Sequence, residues 1–382
     1  MEKIKILGVL LAGLLLVGGC VPGNPEPRIP EKYETSANKP LSVITPASPA
    51  VLQCHSFISE ELTSPLGGVY TNLLISDDIS ELSTGHEILS ESMGLLLEYA
   101  RLTDDDSLFN ATTDYILNHF IDNDILLWRI VENGSPITDV SATIDDLRIY
   151  QTLYLKKSQG PLNESGKLLL ETLETQLSSR GFHANYLVDY YGNANPTTVT
   201  TVETAYINLE SLASLAQEIP ELREAFKTNE KILLGSFISE ELPLYHKTYN
   251  IKNASYEDLD NSINILDSLM VMLNLAQAGM YSTASIEWLE EKTVSGTLYS
   301  YYDPDSGEAL DTQTSSAAYG LAAQIGAALG NEFLTDNALN QLKKHQNTDQ
   351  QSKLYGGFGY DDNAYSYDNL QALLGLLYNK SD

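Results

Sequence analysis

From about residue 51 onward the apolar residues of this chain recur at helical spacing, and few segments alternate as a strand would. The spacing predicts helices at about 52–63, 86–102, 106–121, 141–156, 163–180, 202–217, 220–240, 261–279, 283–292, 313–329, 333–346 and 364–379. The breaks carry fitting residues: Asp104-Asp105-Asp106, Gly160-Pro161, Gly181, Pro220 and Gly330-Asn331. Nearly all-apolar helices (Ser262 to Ala278, Ser315 to Leu329) alternate with one-sided ones (Leu168 to Leu177). A helix apolar all round belongs inside a fold, and a one-sided helix belongs at its surface. Twelve helices in six antiparallel pairs make an all-α fold, an (α/α)6 toroid, with the apolar helices as the inner ring. Roughly 330 residues over six pairs leaves about 55 per pair, which suits two helices and two loops.

The N-terminus is set apart. Lys3 and Lys5 precede Ile6 to Val17, an apolar run the length of a signal-peptide core and short for a membrane span. It ends Val17-Gly18-Gly19-Cys20, which resembles a lipoprotein signal: residues 1–19 are removed and Cys20 is lipidated. Between 20 and 50 lie Pro22, Pro25, Pro27, Pro30, Pro40, Pro46 and Pro49, half of the chain's 14 prolines, so this stretch reads as an extended tether. Residues 51–382 are then one domain on the outer face of a cell membrane. Lipidation of Cys20 leaves Cys54 alone, since the chain has 2 cysteines, and excludes an internal disulfide.

Charge narrows the partners. The 22 Lys and Arg against 52 Asp and Glu give −30. Phosphate backbones need a basic surface, so nucleic acid is excluded, and anionic polymers are disfavoured. His55, His86, His119, His183, His246 and His345 show no metal spacing, and neither a phosphate loop nor a Gly-x-Ser-x-Gly elbow is present. No metal or cofactor is expected. Asp303-Pro304-Asp305-Ser306-Gly307-Glu308 reads as a turn between Tyr302 and Ala309 and lacks the ligands of a calcium loop. Ser56 to Leu62 recurs identically as Ser236 to Leu242, a spacing close to three helix pairs that leaves a half-ring repeat and coincidence both open.

The remaining chemistry is carboxylate chemistry. Glu91 opens a very apolar helix, where burial would raise its pKa toward that of a general acid and the helix N-terminus would lower it. On spacing alone it is equally a first-turn capping residue. Asp145 and Asp146 open a second inner helix, with Arg148 three residues after Asp145. Either acid suits a cap, and Arg148 suits an ion pair.

Ser90-Glu91-Ser92-Met93-Gly94 resembles the Ser-Glu-Gly-Met-Gly segment of glycoside hydrolase family 8, and Ala142-Thr143-Ile144-Asp145-Asp146 resembles that family's Ala-Thr-Asp-Gly-Asp stretch. The family includes endo-β-1,4-glucanases, chitosanases and reducing-end xylanases on an (α/α)6 toroid. The resemblance implies Glu91 as proton donor of an inverting hydrolase and the Asp motif, with Arg148, as the hold on the sugar. Asp146 matches the second Asp of that motif. Ile144 replaces the first, a role that a shift of one residue passes to Asp145. The family's Asp-x-x-Arg-x-Pro segment has no counterpart in Tyr256 to Asp267, so Asp260 and Asp267 are both candidates for the base. Of 23 tyrosines, several cluster in loops. Tyr190, Tyr301, Tyr360 and Tyr367, with Asp368, are expected to contact a polysaccharide or oligosaccharide through ring stacking and hydroxyl bonds. Two functions fit. One is a lipid-anchored, monomeric, inverting hydrolase of a β-linked exopolysaccharide or cell-wall glycan. The other is a non-catalytic glycan-binding or envelope-assembly lipoprotein that kept the fold and lost the base.

Overall fold

A computed structural model describes residues 33–44, 47–75, 82–192, 199–258 and 261–379. Cys20 and Asp260 lie outside the described residues. The twelve expected helices are all present: α1 (Pro49–Glu61), α2 (Ser90–Leu102), α3 (Asp106–His119), α4 (Thr143–Gln159), α5 (Glu164–Arg180), α6 (Leu209–Glu218), α7 (Arg223–Gly235), α8 (Ile265–Gln277), α9 (Thr283–Ser295), α10 (Ser316–Leu329), α11 (Glu332–His345) and α12 (Ser366–Leu376). The even-numbered helices form a closed ring: α2 packs on α4, α4 on α6, α6 on α8, α8 on α10, α10 on α12, and α12 back on α2. The odd-numbered helices flank them, α3 against α2 and α5, α7 against α6, α11 against α10, and α1 against α12.

Composition explains which helices went inside. α10 buries Ala317, Ala318, Gly320, Ala322, Ala323, Gly326 and Ala327. Its small side chains let it touch α12 backbone to backbone: a Cβ on Gly320 would stand 2.3 Å from the carbonyl oxygen of Gln371. α8 buries Leu269, Val271, Met272 and Leu275, whereas α7 and α11 bury one stripe and leave charged residues outside.

Two expectations change. The helix expected at 202–217 begins only at Leu209, because Thr201-Val202-Glu203 runs as a strand and Thr204–Tyr206 as a single 3-10 turn. β-branched residues favour the extended form, and Asn208 then caps α6 by accepting from the Ser211 amide. That strand joins Thr248–Asn250 and Ser255–Glu257 in a three-stranded antiparallel sheet. The helix expected at 220–240 ends at Gly235. As a result the repeated heptapeptide is helical in α1 and irregular after α7, where Phe237 bridges to Tyr245 and Pro243 follows Leu242. The shared letters therefore do not mark a shared structural unit.

The connections are unequal. Those leading into inner helices span 62–89, 120–142, 181–208, 236–264, 296–315 and 346–365. Those leaving inner helices span only 103–105, 160–163, 219–222, 278–282 and 330–331. Because the pairs are antiparallel, every long connection lies on the face where inner helices begin, and every short turn on the face where they end.

Residues 33–44, assigned above to the tether, belong to the fold. Tyr33–Thr35 pairs antiparallel with Met280–Ser282, the turn between α8 and α9. The Ser36 amide then donates to Gly279 O, Leu41 to Ala327 O and Ile44 to Leu377 O. These acceptors lie at the end of α10 and just beyond the ends of α8 and α12, where carbonyls are left without the amide of a following helical turn. Of the prolines counted in the tether only Pro40 falls within 33–44, Pro49 opens α1, and the composition gave no sign that this stretch was docked.

Candidate active site

Five inner helices carry a carboxylate in their first turn: Glu91 on α2, Asp145 and Asp146 on α4, Glu210 on α6, Asp267 on α8 and Asp368 on α12. Short strand pairs set these helix starts. Ile88–Leu89 pairs with Arg129–Ile130 immediately before α2, and Ile263–Asn264 pairs with Tyr301–Tyr302 immediately before α8.

Glu91 and Asp145 form one cluster. The Ser90 hydroxyl donates to Asp145 Oδ2 at 2.6 Å, and Arg148 Nη1 donates to Asp145 Oδ1 at 2.6 Å. Burial, and then the charge of Asp145, push the Glu91 carboxyl up to about 7 against the pull of Arg148. Burial thus outweighs the helix N-terminus, the condition on which a proton-donating role depended. Asp145 is also raised by burial, while Arg148 and the Ser90 hydroxyl oppose the rise. Gly94 explains its own place in the motif. A Cβ there would lie 3.1 Å from Ile149 Cγ1 and 3.3 Å from Arg148 Cδ, so a larger residue would press both side chains aside by a few tenths of an ångström.

Asp146 points elsewhere. It has no exposed surface and accepts a short hydrogen bond from the Tyr191 hydroxyl, itself fully buried. Burial raises its pKa well above the usual range, with Tyr191 opposing. Adjacent helical residues are turned about 100° apart, so one of the two acids faces Glu91 while the other faces the surrounding shell.

Asp267 stands on α8, three places from α2 in a ring of six and so opposite Glu91. Lys247 Nζ lies 3.2 Å from Asp267 Oδ2. Burial lowers the pKa of Lys247, but Asp267, Glu203 and Tyr301 raise it further. Tyr367 lies in the fields of both ends of this diameter: burial raises its hydroxyl pKa first, followed by Glu91, with Arg148 opposing and Asp267 and Asp368 adding. Tyr206, just before α6, is raised by burial and then by Asp145, Asp189, Glu203 and Glu91.

The other expected residues divide. Asp368 accepts from the Ala317 amide at 3.1 Å and so helps cap α10. Tyr190, Tyr301 and Tyr360 are exposed by 58%, 43% and 70%, and all three stand on long connections. The turn at 303–308 is closed by Asp303, whose Oδ1 accepts from the Asp305 and Ser306 amides. Sequence reasoning missed Ser90 as a ligand of Asp145, together with Tyr206, Glu203 and Lys247. Lys247 offered one signal, as one of two lysines, with Lys252, in a connection beside acidic helices. Among the described residues no cluster of metal-ligating side chains is found.

No protein-family model matches the chain. It is similar to a Bacillus subtilis (strain 168) protein named "Putative lipoprotein YdaJ", 23% identical over 312 residues that cover 80% of this chain and 84% of the relative. Among solved structures, a novel alpha-amylase from Clostridium perfringens matches with a TM-score of 0.79 at 28% identity, over 88% of this chain and 99% of that one. Endoglucanase Cel10 of Klebsiella pneumoniae, a family 8 glycosyl hydrolase, matches with a TM-score of 0.58 at 14% identity, over 85% and 98%. The chain therefore has the (α/α)6 toroid and is family 8-like in fold, in a divergent form with a lipoprotein relative. Among the described residues no helix is long and apolar enough to cross a membrane.

Proposed function

We propose that this chain is a glycoside hydrolase, anchored to the outer face of a membrane through Cys20, that cleaves a β-linked polysaccharide with inversion. The observation that carries the reading is the pairing of Glu91, raised to about 7 beside Asp145 and Arg148, with Asp267 on the opposed helix. Neighbouring helices stand about 8–10 Å apart, so opposed axes of a six-membered ring are about 16–20 Å apart. Two inward carboxyl side chains close much of that gap, which is consistent with the roughly 6.5–9.5 Å that an inverting pair needs.

In this mechanism the Glu91 carboxyl gives its proton to the glycosidic oxygen as the bond to the anomeric carbon breaks. Water attacks that carbon from the other face, and its proton passes to Asp267. Lys247 balances the charge of Asp267 before the transfer. Asp145 and Arg148 hold sugar hydroxyls at the cleavage point. Asp146, bound to Tyr191, serves the packing of the shell and does not touch the sugar. Tyr190, Tyr301, Tyr360 and Tyr367 line the approach.

A second reading, cleavage of an α-linked glucan, is favoured by the likeness to the Clostridium alpha-amylase. The test is a panel of neutral and amino-sugar β-glycans alongside α-glucans, scored for new reducing ends, with NMR of the first-formed anomer. A β-linked substrate yielding the α-anomer first is the expected result. Retention of configuration rules out the inverting pair. Glycan binding without cleavage by the wild type favours the non-catalytic lipoprotein.

A further inference from the structure

We propose that Asp258 is a positioning residue for the reaction: it clamps the backbone of Lys247 so that the ammonium stays on Asp267. The inference rests on the reading of Asp267 as the carboxylate that takes the proton from water. Lys247 Nζ lies 3.2 Å from Asp267 Oδ2, and the two side chains are 36% and 28% exposed. A lysine that open has a flexible stem and a mobile charge. Two carboxylates draw it. Burial lowers the Lys247 pKa, but Asp267 first, then Glu203 and Tyr301, leave it above the ordinary lysine value. Glu203 stands on the strand beside it, where its Oε1 accepts from the Thr248 hydroxyl at 3.1 Å. With a second carboxylate in range, the charge of Asp267 alone does not fix where the ammonium sits. The position of the Lys247 backbone does.

That backbone is held at both of its polar groups by residues far along the chain. The Lys247 amide donates to Asp258 Oδ1 at 3.0 Å, and its carbonyl accepts from the Thr204 amide at 2.8 Å and from the Thr204 hydroxyl at 3.0 Å. The two preceding residues are pinned as well. The His246 amide donates to Ser236 O at 2.8 Å, and the Tyr245 amide donates at 3.0 Å to the hydroxyl oxygen of Ser268, the residue after Asp267. Asp258 is itself fixed. Its side chain is 7% exposed, and its Oδ2 stands 2.6 Å from His246 Nδ1. The His246 ring stacks on Tyr256, whose hydroxyl donates to Ile232 O at 2.7 Å. An aspartate that only shapes a turn bonds an amide about two positions onward, whereas Asp258 reaches back 11. Both of its oxygens serve the segment that carries Lys247, so Asp258 acts through that lysine and not on the sugar.

The test is NMR titration of the full chain with isotopically methylated lysines, the Lys247 signal being identified by its loss in Lys247→Arg. Asp267→Asn is expected to lower the Lys247 midpoint by roughly 0.5–1 pH unit. The same change made in Asp258→Ala is expected to shift it by less than half as much, because the ammonium has left Asp267. Asp258→Asn keeps an oxygen for the Lys247 amide and is expected to preserve the full shift. If Asp258→Ala does not fold, Asp258→Glu takes its place, since the longer side chain keeps its charge beside His246 and displaces the amide. A full shift in Asp258→Ala or its substitute overturns the clamp. Kinetics on the first glycan found to be cleaved are read in parallel. The acidic limb of kcat/KM is expected to move to higher pH in Asp258→Ala and in Lys247→Met, and no further in the double variant. A limb that moves in Lys247→Met alone overturns the role of Asp258 and leaves Asp267 as the base. A limb that stays put in both variants, with the NMR coupling lost as expected, overturns Asp267 as the base, and the positioning role falls with it.

Discussion

Replacing Arg148 by Met removes the one cation in contact with Asp145 while keeping a stem that still covers Gly94. Arg148 donates to Asp145 at 2.6 Å, and Asp145 is only 4% exposed. With charge centres about 4 Å apart and an effective dielectric near 20, the attraction is about 4 kcal/mol, and it holds the Asp145 carboxyl down against its burial. Leaving a buried carboxylate without its partner costs about 3–5 kcal/mol. The sign with pH follows from the same ion pair. Without Arg148 both Asp145 and Glu91 rise further, so the penalty is largest near pH 8 and shrinks toward pH 5, where the carboxyls take up protons. Urea unfolding at the two pH values measures this, and the basic limb of kcat/KM, which begins near Glu91's value of about 7, should move upward. An equal loss of stability at both pH values, or a basic limb that stays put or moves down, would refute the coupling of Glu91, Asp145 and Arg148.

Other perturbations separate roles that the sequence left merged. Tyr191→Phe strips Asp146 of its donor, so stability should fall by about 1–3 kcal/mol with KM little changed; a large rise in KM instead restores Asp146 to the sugar. Glu210 is pushed up to about 7 by burial and by Glu98, against Arg101. Its contribution to stability is present below about pH 4.5 and lost as pH rises through about 7. Glu210→Gln should therefore stabilise the fold by on the order of 1–3 kcal/mol at pH 8 and hardly at all at pH 4, and thermal unfolding that is unchanged at pH 8 contradicts this. Cys20→Ala should move the protein from the membrane fraction to the soluble fraction, and unchanged fractionation would remove the anchor reading.

What could be read from the sequence followed from local physics. Helix positions were legible because burial differs between the two rings, and α8 and α10 are apolar on nearly every side. The extent of α6 was not, because Thr201 to Glu203 is held by a strand 45 residues away, with Thr248 facing Glu203. Glu91 stood out through its neighbours in sequence. The choice between Asp145 and Asp146 depended on a rotation of about 100° that letters alone do not display. The Lys247–Asp267 contact joins a loop to a helix start and leaves no local pattern. The repeated heptapeptide carries the same lesson, since its second copy follows a helix that has already ended at Gly235.

The most direct measurement is kcat/KM for Glu91→Gln against wild type on the first glycan found to be cleaved, with glycan binding measured on the same preparations. Gln keeps the shape and has no proton to give. A loss of about 10²–10⁴-fold with binding retained is the result this mechanism requires. Cleavage by Glu91→Gln at the wild-type rate would contradict it.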